Sequence, residues 1–176
     1  MYLLVFAARW LAVGAHPTAA DALSIALILG SGLLVAGYQA LSEEIVFRGA
    51  VFALLPRSLT VTTMVAISTA LFVLFHLPKW ESLMSGPYAL HLVLAGVAFA
   101  LAYVRTGTIW LGFGLHLGWN LGAYLLLEGS PALLALGDGL PTGWAGWSSW
   151  LGVAGNAALI VVVLAVTRTT RVRLTR

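Results

Sequence analysis

The residues best suited to chemistry are Glu43 and Glu44, adjacent carboxylates followed by Arg48 and set between long runs of Leu, Val, Ala and Gly. Each such charge costs roughly 2.5–3.5 kcal/mol in an apolar setting, so chains tend to keep them where they work. On a helix, Glu44 and Arg48 lie four apart on one face in the favourable order, acid first. Glu43 is turned about 100° away and lies outside that pairing, available to act on water. Three more polar side chains stand out: His76 near the end of one apolar run, and His116 and Asn120, four apart, on another.

A carboxylate, two imidazoles and an amide make a hydrolytic set. A carboxylate withdrawn from water is a stronger base, which suits Glu43 to take a proton from a water molecule. His76 would share or position that water. His116 and Asn120, as donors on one helical face, would stabilise the oxyanion of a tetrahedral intermediate. Gly112 lies on the same stripe and would leave room for a substrate backbone. His16 reads as a loop histidine and His91 as a packed or pore-facing one.

These residues must be held by helices in a bilayer. Of 176 residues, 61% are hydrophobic and 9% charged, whereas soluble domains carry about 25% charged residues. Too few charges remain to cover a surface in water, so lipid is the expected solvent. Ala22 to Ala40 is a charge-free run of about the 20 residues that a span needs, and it leads straight into the acids. Leu59 to Leu77 carries His76, Tyr88 to Val104 carries His91, Thr108 to Leu127 carries His116 and Asn120, and Trp147 to Val166 is the last. In the fourth run Gly114, Gly118 and Gly122 recur every four residues, a ridge that lets another helix approach closely.

The apolar Met1 to Val13 is short and interrupted by Arg9, which suggests an interfacial helix or partial span rather than a signal peptide, whose charge precedes its apolar core. Together these give an all-α fold, a polytopic transmembrane bundle of about six helices with the site inside it, as one membrane domain over residues 1–176.

Charge sets the orientation. The Arg57 turn, the Arg105 turn and the tail with Arg168, Arg171, Arg173 and Arg176 fall on one side, while Lys79, Glu81 and Asp138 fall on the other. The positive-inside rule makes the first side cytoplasmic, C-terminus included, in an integral protein of the cell membrane. Four of the nine basic residues sit in that tail, so the net charge of +3 is no nucleic-acid signal; lipids and a peptide or membrane protein are the expected partners. The chain has no cysteine, which excludes disulfides, thiolate ligands and a cysteine nucleophile.

Three stretches, Glu43-Glu44-Ile-Val-Phe-Arg48, Phe72-Val-Leu-Phe-His76 and His116-Leu-Gly-Trp-Asn120, occur in this order and each on its own span. They resemble the CAAX prenyl endopeptidase and bacteriocin-processing (CPBP, or Abi) family of intramembrane proteases, over about residues 33–125. The run Arg105-Thr-Gly-Thr-Ile-Trp110 before the third stretch is common in that family. The resemblance implies peptide-bond hydrolysis within the membrane. Glu43 and His76 would activate water, His116 and Asn120 would form the oxyanion site, and Glu44, Arg48 and Phe72 would support them.

Members have been described as metalloproteases. One carboxylate and two imidazoles suffice for zinc, so Glu43, His76 and His116 could hold a divalent metal, although no H-E-x-x-H is present. A glutamate-and-water mechanism needs no cofactor. The alternative to an enzyme is a non-catalytic bacteriocin self-immunity or scaffold protein of the same fold.

Overall fold

The computed structural model describes residues 19–76, 86–126 and 150–169. The segment before Pro17, the Lys79 and Glu81 loop, the Glu128 to Gly146 loop and the tail arginines after Arg168 lie outside these residues. Every described element is helical. In chain order they are α1 (Ala19–Glu44), a π-helical turn (Ile45–Ala50), α2 (Val51–Leu54), α3 (Val61–Phe75), α4 (Gly86–Thr106), α5 (Trp110–Leu126) and α6 (Trp150–Val166).

The helix boundaries have local causes. Leu55 turns extended (ψ 140°) ahead of Pro56, as the residue before proline must when the ring crowds its backbone. Thr60 then restarts the chain, its hydroxyl accepting from the Thr63 amide at 3.2 Å as an N-cap. Gly107 takes a left-handed φ of 71° where the chain turns from α4 to α5, a conformation that costs glycine nothing. The π turn follows Glu44 without a break and closes with the Val51 amide on the Val46 carbonyl. Single π turns inside α-helices occur frequently at functional sites.

Two compact units divide the chain: Met1–Gln39 with Leu117–Ala145, and Ala40–His116 with Gly146–Arg176. In the first, α1 meets α5 where a Cβ on Gly37 would touch Leu117 Cδ1 at 4.0 Å. In the second, α4 is the central helix. Phe47, Phe72, Tyr88, Leu92, Ala95, Ala98 and Phe99 form one apolar cluster, and Phe52, Met64, Val65, Ala100 and Val104 form another. The outer faces are apolar too: Leu54 is 83% exposed, and Trp110, Trp150 and Val161 are exposed with it. So many large apolar side chains exposed among the described residues suit contact with lipid better than with water.

Among the described residues, α4 is the one helix long and apolar enough to cross a membrane, while Val61–Phe75 and Gly152–Val166 are apolar but shorter. Two glycines of the expected ridge have open space beside them among the described residues. A Cβ on Gly114 or Gly118 would meet nothing within 4 Å, whereas one on Gly112 would meet Glu44.

Candidate active site

Glu44 ends α1, and both it and Arg48, in the π turn, are fully buried at 0% exposed. Arg48 Nη1 donates to Glu44 Oε1 at 3.0 Å, the pairing expected from their spacing. Its Nη2 donates to the Gly96 carbonyl of α4 at 3.0 Å. The guanidinium carbon also lies 4.9 Å from the centre of the Phe72 ring and 5.3 Å from that of Phe99. Desolvating a charge costs several kcal/mol, and here an ion pair, a carbonyl and two aromatic faces offset it. Gly96 also lets α3 pack closely on α4, because a Cβ there would press to 2.9 Å from Thr69 Cγ2 on α3. Beside it, Ser68 donates to the Phe47 carbonyl within the π turn at 2.8 Å.

His116 joins the two acids. Its Nδ1 bonds Glu44 Oε1 at 3.1 Å, and its Nε2 lies 3.7 Å from Glu43 Oε2. An ionised carboxylate only accepts, so Nδ1 carries a hydrogen and donates it to Glu44. The ring is held flat against Phe99, at 4.5 Å between centroids and 16° between planes. The sequence pattern assigns Glu44 to Arg48 alone; the contact with His116, 72 residues distant, has no local signal. The expectation that Gly112 leaves room for a substrate is corrected here. A Cβ on Gly112 would sit 2.6 Å from Glu44 Oε2, so the space belongs to that carboxylate. Gly112→Ala is therefore expected to displace Glu44 and to cost about 1–3 kcal/mol, the usual range for overpacking, measurable by unfolding of the purified protein.

His76 follows the last residue of α3 and is half-buried. Its Nδ1 lies 2.8 Å from the Phe72 carbonyl, which can only accept. The hydrogen is therefore on Nδ1, and in the neutral ring Nε2 is left as an acceptor. Phe72 thus touches three site groups at once: its ring centre is 4.8 Å from that of His76, 6.1 Å from that of His116, and lies under Arg48.

Asn120 lies one turn beyond His116 on α5 and belongs to the first unit. It is 9% exposed, and its Nδ2 has no hydrogen-bond partner among the described residues. As for a metal, no three His, Asp or Glu side chains gather as ligands among the described residues. Glu43, His76 and His116 as arranged here do not fit zinc as a set.

Two polar residues near these groups lack any motif. His91 of α4 is 1% exposed and Asn156 of α6 is fully buried, and Asn156 Nδ2 lies 2.6 Å from His91 Nδ1. A lone asparagine within the apolar run of α6 is the signal that could have flagged it.

No curated protein and no solved structure matches this chain. Residues 24–122, which hold all three motifs from Glu43 to Asn120, match the family model for type II CAAX prenyl endopeptidase, Rce1-like. That stretch is more than half of the chain, and it contains the buried acid pair, its arginine, His76 and His116; the protein belongs to this family of membrane-associated proteases.

Proposed function

We propose that the chain is an intramembrane endopeptidase, a bundle of about six spans in the cell membrane with a cytoplasmic C-terminus, which hydrolyses peptide bonds of lipidated or membrane-associated peptides. One observation carries this reading: His116 is held between two carboxylates, with Nδ1 committed to Glu44 and Nε2 facing Glu43 across 3.7 Å. Two polar atoms that far apart can share one water at ordinary hydrogen-bond lengths of about 2.8 Å. Glu43 takes a proton from that water as its oxygen bonds the scissile carbonyl carbon. His76 Nε2, its other nitrogen fixed on Phe72, accepts from the same water and orients it.

The negative charge that develops on the carbonyl oxygen is met by Asn120 through Nδ2 and by His116 through Nε2, the ring then carrying a hydrogen on both nitrogens as an imidazolium between the two carboxylates. Such preorganised donors are worth about 10²–10³-fold each. Glu43 then passes its proton to the amide nitrogen, the C–N bond breaks, and the carboxylate is regenerated. Glu44 and Arg48 do not exchange protons in this scheme. They hold His116 and the end of α1.

The test is a cleavage assay with the protein in liposomes, offered a peptide ending in a prenylated CAAX sequence and a membrane-spanning peptide without lipid. The prenylated peptide is cleaved, at the same rate with and without a strong divalent-metal chelator. Asn120→Ala lowers kcat by about 10². Finding neither peptide cleaved by the wild-type protein would favour the non-catalytic immunity or scaffold reading, and activity lost to chelator and restored by zinc would overturn the metal-free step.

A further inference from the structure

Helix α3 brings Phe72 and, at its end, His76 to the site, and a third residue continues their row. Ser68, Phe72 and His76 recur every four residues, so they share one face of the helix. Leu71 and Leu74, turned away from that face, are exposed. Ser68 is fully buried and belongs to none of the three motifs. A serine inside a helix commonly turns its hydroxyl back to its own backbone. Ser68 instead spends its single hydrogen on another element, donating to the Phe47 carbonyl of the π turn at 2.8 Å.

The same two elements meet again one turn further along α3. The Phe47 ring packs edge-on against Phe72, 5.5 Å between centroids, and the guanidinium carbon of Arg48 lies 4.9 Å from the centre of the Phe72 ring. Thr69, beside Ser68, closes on Gly96 of α4, whose carbonyl receives Arg48. Apolar contact is non-directional and permits sliding and rotation, whereas a hydrogen bond weakens steeply as its angle departs from linear. The Ser68 hydroxyl therefore gives the packing of α3 on the π turn a fixed register.

Resting on the protease reading above, we propose that Ser68 is a positioning residue for His76. The Phe47 carbonyl lies three residues beyond Glu44, and His76 lies two turns beyond Ser68, about 12 Å along the helix. One bond between the two elements thus sets the depth and rotation at which His76 faces the glutamates. His76 has only Nε2 to offer the water, its Nδ1 being held on the Phe72 carbonyl. A small rotation of α3 would turn that nitrogen away from the oxygen that Glu43 activates, and misplacement of this kind is costly to rate. A purely structural account makes Ser68 a clasp between helices, whose loss lowers stability and leaves the folded enzyme as active as before.

A double-mutant cycle in the liposome assay separates the two accounts, with kcat counted per folded molecule. Ser68→Ala removes the hydroxyl and little else; it lowers kcat about 10-fold and leaves KM unchanged, because the side chain is buried against Phe47. His76→Ala keeps the Glu43 base and so a measurable rate. Adding Ser68→Ala to it lowers kcat little further, since Ser68 acts through the side chain already removed. If Ser68→Ala does not insert or fold, Ser68→Cys, which fills the same place with a weaker donor, takes its position in the cycle. Wild-type kcat in the folded Ser68 variant, or losses that multiply in the double variant, would overturn the proposal while leaving the protease reading intact. A wild-type protein that cleaves neither peptide removes the protease reading, and the positioning role falls with it.

Discussion

Glu43→Gln is expected to reduce cleavage of the prenylated peptide by about 10³-fold, within the 10²–10⁴ range that a positioned general base supplies. Glutamine keeps the shape and the hydrogen-bonding reach of the side chain but cannot take the proton, so folding and insertion stay as they are. The measurement is kcat in liposomes beside a melting curve of the same preparation. The comparison with Glu44→Gln gives it force. A glutamine oxygen can still accept from His116 Nδ1 and from Arg48, whose present bonds to Glu44 Oε1 are 3.1 and 3.0 Å. Glu44→Gln should therefore retain far more activity than Glu43→Gln. The reverse order, Glu44→Gln inactive and Glu43→Gln active with both folded, would reassign the base.

The largest loss of stability is expected from Arg48→Leu, about 3–5 kcal/mol, the cost of removing one partner of a buried ion pair. Glu44 is 0% exposed, so without Arg48 it must stay charged with only the His116 Nδ1 donor to offset it or take up a proton. The Gly96 carbonyl loses its donor at the same time. Reversible unfolding in detergent reads the difference. Adding Glu44→Gln to Arg48→Leu should recover part of it, because the orphaned charge is then gone. Arg48→Lys should recover less than the conservative label suggests, since one ammonium on a flexible stem cannot reproduce a planar fork that addresses Glu44, Gly96 and two aromatic faces together. A loss below about 1 kcal/mol for Arg48→Leu, the scale of an exposed pair, would show that the pair does not carry the fold.

The sequence made legible those parts of the site that depend on helical periodicity. Glu44 and Arg48 pair because four residues make about one turn, and the structure has them at 3.0 Å. His76 stands at a helix end because the apolar run stops there, and Phe72, one turn earlier, is its support. What periodicity cannot supply is which helix faces which. The His116 bond to Glu44 and the Asn156 contact with His91 join residues 72 and 65 apart, set by packing and not by any neighbour in the chain.

The glycines of α5 show the same limit. Gly114 and Gly118 have the regular spacing, but Gly112, outside that ridge, is the one whose missing side chain admits Glu44. The all-helical fold could be read from composition, because so few charges leave lipid as the solvent. The matching family extends over residues 24–122, so the sequence signature ends before α6.

The π turn at Ile45–Ala50 bears on how this protein tolerates changes in length. Such a turn holds one residue more than the α-helix around it would, and deleting any one of its residues could let the ladder close as ordinary α-helix. The chain would still be helical and just as apolar, and local propensity would raise no objection. A deletion at Ile45 or Val46, however, would bring Phe47 and Arg48 one place closer to Glu44, changing the four-residue spacing of the ion pair and moving the Phe47 carbonyl relative to Ser68. A gap at either position should therefore be more damaging than most substitutions nearby, and homologous chains should keep the number of residues between Glu44 and Arg48 even where the apolar residues between them vary.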